Sequence, residues 1–445
     1  MGDQMARGPA RWVVAHMDIH IGSEASNNTH VLSIPGDKHT VILGKTGTGK
    51  STLLKNMIVE KIRAGEGVTV LDPHGQLVDN LVHFIPKFRS DRVIWWDPYD
   101  DPVIGLNFFD GPGEDHKKVS AVLAMFSAVW KGFWGPQSNE LVAFASEAIL
   151  RQDEDERSIL AVAKFLMNPA LPKQKGQKKP PVTYRQKCLR RASGYVRDYW
   201  KQFSARSSRD QAEALSHPMN KINEFVRNPI VRSLVGQTKG TLDLRRVMDE
   251  GKILLCRLSK GRLGADVSSI LGSLIVSKLA IAALERENVP KHKRRAHTLF
   301  ADEVQNFVHD IDFPTILAEA RKYHLTLSIA TQTVNQLPDA EAVFGNCNVQ
   351  IAYRLGGSDA HVMAKEWGND FSPTAFMRLN DFCFYINHVK KEVPQRNDVI
   401  YRAHQTAAYD RASATSRSVL AASRNGNGAS RAEITDKLNR FLGVG

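Results

Sequence analysis

Thr40-Val41-Ile42-Leu43-Gly44-Lys45-Thr46-Gly47-Thr48-Gly49-Lys50-Ser51-Thr52 joins a short apolar run to a glycine-rich turn and then to a helical pattern. Gly44 to Ser51 fit G-x-x-x-x-G-K-[ST] in full, after a strand and before a helix, where that pattern has mechanical meaning. Glycines let consecutive backbone N–H groups turn toward phosphate oxygens, and the helix adds the positive end of its dipole. Gly44, Lys45, Thr46, Gly47, Thr48, Gly49, Lys50, Ser51 and Thr52 are therefore the expected nucleotide-binding residues. Lys50 would reach the β- and γ-phosphates and Ser51 would ligate magnesium, so the expected cofactors are ATP and Mg2+.

Outward from this loop, Leu53, Leu54, Met57, Ile58 and Ile62 share one helical face, and Gly65 and Gly67 end the helix. Val68 to Leu71 and Arg92 to Trp96 read as strands. Strand, helix, strand with short connections predicts a βαβ unit, hence an α/β fold with a parallel sheet and helices on both faces. The same pattern resumes at Lys252 to Cys256, His297 to Ala301, Leu325 to Ala330 and Val349 to Tyr353. Between these halves, His116 to Trp134, Ser138 to Gln152, Ile159 to Met167 and Gln211 to Val226 carry helical spacing and predict an all-helical insertion. The expected division is a β-rich lead-in over 1–35, containing Trp12-Val13-Val14 and Val31-Leu32, and a first ATPase part over 36–115. The insertion over 116–228, a second ATPase part over 229–408 and a flexible tail over 409–445 follow. Ser430 with Glu433 offers a capping box for a short last helix.

The 445-residue chain is 42% hydrophobic and 24% charged, which excludes disordered, collagenous and coiled-coil readings of the whole. Four scattered cysteines (Cys188, Cys256, Cys347, Cys383) form no C-x-x-C pair, which fits a reducing compartment. The formal net charge of +13 points to a polyanionic partner, nucleic acid before membrane. Ser268 to Leu284 is apolar, but Lys278 interrupts it and it falls short of the roughly 20 residues a bilayer needs. It is expected to be a buried helix, and nothing between Met1 and Gly44 is expected to span a bilayer.

A P-loop needs a carboxylate on a neighbouring strand. Asp302 and Glu303 follow the run His297 to Ala301. Asp302 is the expected holder of Mg2+, and Glu303 the expected group that polarises the attacking water. Asp72-Pro73-His74-Gly75 also ends a strand, either as a tight turn or as a contributor to the site.

The ordered set GKTGTGKST (Gly44–Thr52), LDPHG (Leu71–Gly75), ADEVQNF (Ala301–Phe307), EARKYHLTL (Glu319–Leu327) and ATQ (Ala330–Gln332) resembles the motor domains of type IV secretion coupling ATPases. These are the TraG/TraD/VirD4 group, within the wider VirB4, HerA and FtsK ATPases. The resemblance implies a RecA-like sheet interrupted by an all-helical domain, and a ring, usually a hexamer, that moves DNA through a central channel. It makes Arg321 the arginine finger of a neighbour's site and Gln332 the sensor of the γ-phosphate, with Lys50 and Glu303 completing the catalytic set. Arg354 is a further arginine at a strand end. The implied partners are DNA without sequence specificity, further copies of the chain, and a relaxase, secretion channel or membrane protein. The implied location is the cytoplasm, at the inner face of the membrane through a partner. A VirB4-type secretion ATPase and a HerA-like translocase paired with a nuclease stand as alternatives.

Three basic segments could grip a phosphate backbone. They are Pro172 to Arg191; Lys291, Lys293, Arg294 and Arg295; and the tail arginines Arg411, Arg417, Arg424 and Arg431. Tyr195, Tyr199 and Trp200 either stack on bases or pack the insertion.

Overall fold

The structure is a computed structural model, and it describes residues 18–24, 31–109, 114–130, 134–168, 181–239, 242–308, 312–388, 401–403 and 428–443. Trp12-Val13-Val14, much of the first basic segment and three of the tail arginines lie outside these. Eleven strands form one sheet. In chain order they are β1 (Ile19–Glu24), β2 (Val31–Ile34), β3 (Thr40–Leu43), β4 (Gly67–Asp72), β5 (Val93–Trp96) and β6 (Ile253–Arg257), followed by β7 (His297–Ala301), β8 (Leu325–Thr331), β9 (Val349–Ala352), β10 (Cys383–His388) and β11 (Tyr401–Ala403). Their order across the sheet is β2-β1-β11-β10-β9-β3-β8-β7-β4-β6-β5.

From β9 to β5 every pairing is parallel, and β10 joins antiparallel to β9. These eight strands make the RecA-like α/β sheet. β11, β1 and β2 extend it with antiparallel pairs. β3, β4 and β7 are buried along their whole length, as strands covered on both faces must be. Two apolar cores result, one on each face.

All the described elements between β5 and β6 are helical, from Asp115–Val129 to Leu244–Asp249. Their core is aromatic: Phe126, Phe165, Trp200, Phe203 and Phe225 are all essentially inaccessible. Trp200 meets Phe165 edge-on at 4.9 Å, and Tyr199 stacks on Phe144 at 3.9 Å. Both rings therefore pack the insertion rather than offering a face to bases, whereas Tyr195 is exposed.

Several cations of the expected DNA grips are committed to the fold instead. Arg185 is buried, its guanidinium 4.7 Å from the Trp200 ring centroid and bonded to the carbonyls of Phe165 and Leu166. A guanidinium tolerates this because aromatic faces and the last carbonyls of a helix satisfy it. Lys187 pairs with Glu156 and Arg191 with Asp153. Arg294 donates to the carbonyls of Glu287, Val289 and Lys322, and Arg295 to those of Gly65 and Glu250. These two clamp loop ends beneath the sheet.

Ala265–Leu284 is the one described helix long and apolar enough to cross a bilayer, with a mean hydropathy of 1.9. It starts three residues before the apolar run read from the sequence and so reaches the bilayer length that run fell short of, but it is mostly buried, as expected. The last helix, Arg431–Leu442, forms, but without its capping box: the Ser430 side chain makes no capping bond. The Arg431 N–H donates instead to Asp101, and its guanidinium to the carbonyls of Pro98 and Asp100. A carboxylate brought in by tertiary contact thus serves the first N–H of this helix.

Candidate active site

Parallel strands place ligand sites at their C-terminal edge, and here β3, β7 and β8 all end there. After Leu43 the chain turns through Gly47 and Gly49, whose φ values of 80° and 114° suit glycine alone. Gly49 is the N-cap of helix Lys50–Arg63 and supplies no side chain to its first turn. The open N–H groups of that turn are the anion-binding element. Lys50 is 5% exposed, and its ammonium donates to the carbonyls of Gly44 (2.5 Å) and Lys45 (3.1 Å). Burial lowers its pKa, and Glu303 and Asp302 pull it back up. A buried ammonium held by the loop's own carbonyls is what a polyphosphate would engage.

Ser51 donates to Asp302 Oδ2 at 2.9 Å, joining the P-loop helix to the end of β7. Burial raises the Asp302 pKa, the Ser51 bond opposes that, and Glu303 and Asp72 add to it. A buried carboxylate beside a hydroxyl, with two further acids near, is a donor set that fits a hard divalent cation. Asp302 and Ser51 would hold it.

Glu303 follows with φ 50°, a left-handed conformation uncommon outside glycine. The twist turns its side chain between two amides. Gln332, just past β8, donates to Oε1 at 2.9 Å, and Gln305 donates to Oε2 at 2.7 Å. Gln305 in turn accepts from Thr331 at 3.1 Å. Each carboxylate oxygen keeps acceptor capacity for a water. Sequence reasoning assigned Gln305 no role, although it lies inside the quoted ADEVQNF segment.

Asp72 is buried and accepts from the backbone N–H groups of His74 and Val78, so it caps its own turn and helix. It also lines, with His74, Lys55 and Asn80, the cleft that holds Ser51 and Asp302. The tight-turn role is real, and the side chain remains within the electrostatic reach of Asp302. Arg354 pairs with Asp381 at 2.7 Å, and its carbonyl accepts from Lys45 N–H. It is drawn into the support of the P-loop.

Arg321 stands elsewhere. It precedes β8 at the opposite edge of the sheet, exposed, and donates to Asn348 at 2.9 Å. Glu319 pairs with Lys322 rather than with Arg321. The whole of β8, seven residues long, runs between Arg321 and Gln332, on the order of 20 Å of extended chain. Arg321 is thus out of reach of its own P-loop.

Residues 19–119 match the central-domain family of helicase HerA, and residues 297–370 match the family described as the TraM recognition site of TraD and TraG. No curated protein matches the sequence. Among solved structures, the plasmid coupling protein TrwB in complex with ADP and Mg2+ is similar with TM-score 0.60 and 16% identity, covering 83% of this chain and 86% of that one. An unbound form of TrwB gives 0.61 and 15%, over 84% and 87%. VirB4 of Thermoanaerobacter pseudethanolicus gives 0.56 and 12%, over 89% and 98%. Those identities speak to the fold, while the two family matches cover the strands and loops that carry Lys50, Ser51, Asp302, Glu303, Arg321 and Gln332. The two family matches and the shared RecA-like fold bear out the resemblance to the TraG/TraD/VirD4 group, within the wider HerA, FtsK and VirB4 relatives.

Proposed function

We propose that the chain is a ring-forming ATPase that moves DNA toward a transfer apparatus. The observation that carries this reading is the site's division. Lys50, Ser51, Asp302, Glu303 and Gln332 converge at one edge of the sheet, and Arg321 stands exposed at the other. A site built for binding alone needs neither Glu303 nor a distant arginine. In the proposed reaction Lys50 and the N–H groups of the loop hold the β- and γ-phosphates. Ser51 and Asp302 would hold magnesium, which when bound would supply neutralisation of the phosphate charge. Glu303, aimed by Gln332 and Gln305, accepts the proton of the attacking water. Gln332 spans from Glu303 to the last phosphate and reports whether it is present. Arg321 of one copy enters the site of the next and neutralises charge on the transferring group, an effect on the order of 10³-fold or more in other NTPases.

The excess of cations supports a DNA substrate held through its phosphates, without base reading. Delivery to a membrane channel at the inner face of the membrane would require a relaxase, channel or membrane partner. ATP hydrolysis measured at low salt with and without DNA tests the reading. DNA should accelerate hydrolysis, and Lys50→Ala should abolish it in both conditions. A rate indifferent to DNA, with copurifying secretion-channel proteins, would replace this reading with a VirB4-type secretion ATPase.

A further inference from the structure

Phe382 is the one large apolar side chain among the described non-glycine residues with positive φ, at 63°. A bulky residue in that region is strained, and such strain concentrates at functional sites. It is not a core residue: 36% of it is exposed. Its N–H donates to the Thr48 carbonyl of the P-loop at 2.8 Å. Its ring lies so close to Gly49 that a Cβ there would meet Cδ1 at 2.9 Å. The neighbouring Arg354–Asp381 pair holds the same loop. The fold therefore spends backbone strain to keep an exposed aromatic face beside the phosphate loop.

Strand order says what that face meets. β3 carries the P-loop. On one flank lie β8 and β7, with Gln332, Asp302 and Glu303 at their ends. On the other flank lie β9 and β10, and Phe382 immediately precedes β10. A nucleotide whose reacting end is at Glu303 runs along the loop toward the second flank. We propose that Phe382 is the stacking platform for the nucleotide base. The inference rests on the nucleotide-site reading and adds the base subsite to it. An aromatic face reads the π-surface of a base rather than its hydrogen-bonding edge, so ATP and GTP should be accepted alike.

The test compares nucleotide with a probe that has no base. Affinities for ATP, GTP and inorganic tripolyphosphate, each with Mg2+, are measured on full-length wild type, Phe382→Asn and Phe382→Tyr. Asparagine tolerates the left-handed backbone and so removes the ring while keeping the loop. In Phe382→Asn, binding of both ATP and GTP should weaken roughly tenfold, with tripolyphosphate unchanged, and Phe382→Tyr should restore it. A full-length Phe382→Trp variant should gain a fluorescence response to ATP that tripolyphosphate does not elicit. Equal weakening of tripolyphosphate in Phe382→Asn would make the ring a brace for the loop and overturn the proposal. Unchanged ATP affinity in that variant would overturn it as well. Wild-type protein that binds neither ATP nor tripolyphosphate would remove the nucleotide site itself, and the platform with it.

Discussion

At the scale of single residues, the site turns on one carboxylate held by two amides. Glu303→Gln keeps the shape and removes the proposed base. It should retain ATP affinity while turnover falls by about 10²-fold or more. Single-turnover hydrolysis beside equilibrium binding checks this, and normal turnover would remove Glu303 from the chemistry. Gln305→Ala should lower kcat with little change in KM, because it releases one arm of that carboxylate without touching phosphate. Lys50 and Ser51 could be singled out because they close a glycine-rich motif at a helix start, and Asp302 and Glu303 because they are paired acids at a strand end. Gln305 was not: its role depends on the left-handed turn at Glu303 and on Thr331, neither of which shows in a linear pattern. Conversely, Arg185, Arg294 and Arg295 resembled a DNA grip only while their carbonyl partners were unknown.

Among the elements, His39 is the joint between the P-loop strand and the segment that presents Arg321. Its Nδ1 accepts from Leu327 N–H at 2.9 Å, so its Nε2–H donates to the Leu317 carbonyl, also at 2.9 Å. Burial pushes this imidazole down to about 4, the Leu317 bond opposes that, and Arg321 adds to it. The native state therefore binds fewer protons than the unfolded chain between about pH 4 and 6.5. His39 contributes its full share of stability above pH 6.5 and loses it as pH falls toward 4, up to about 3 kcal/mol. Thermal melts across that range should show the loss in wild type and a shallower slope in His39→Asn. Matching slopes would assign the acid sensitivity to other groups. Most strands of the α/β half were readable as short apolar runs closed by polar or glycine residues. β10 and β11 were not: they pair antiparallel at the extended flank, and β10 follows Phe382 in its left-handed conformation.

For the molecule as a whole, the distance between Arg321 and its own phosphate loop is what the proposed ring would bridge, by placing Arg321 of one copy at the site of the next. Adding Arg321→Ala protein to wild type should depress activity below the wild-type fraction, since each altered copy disables a site on its neighbour. Strict proportionality in that mixing series would return Arg321 to a local role with Asn348. By itself the sequence determined the P-loop, the βαβ frame, the helical insertion and the resemblance to coupling ATPases. All of these are written in contacts between residues near in the chain or in ordered short motifs. Only the tertiary structure decided that Ser51 bonds Asp302 across 251 positions, that Phe382 lies against Gly49, and that Arg321 stands at the opposite edge from its own P-loop. Those relations come from strand order, which is set by the burial of whole faces and not by any local preference.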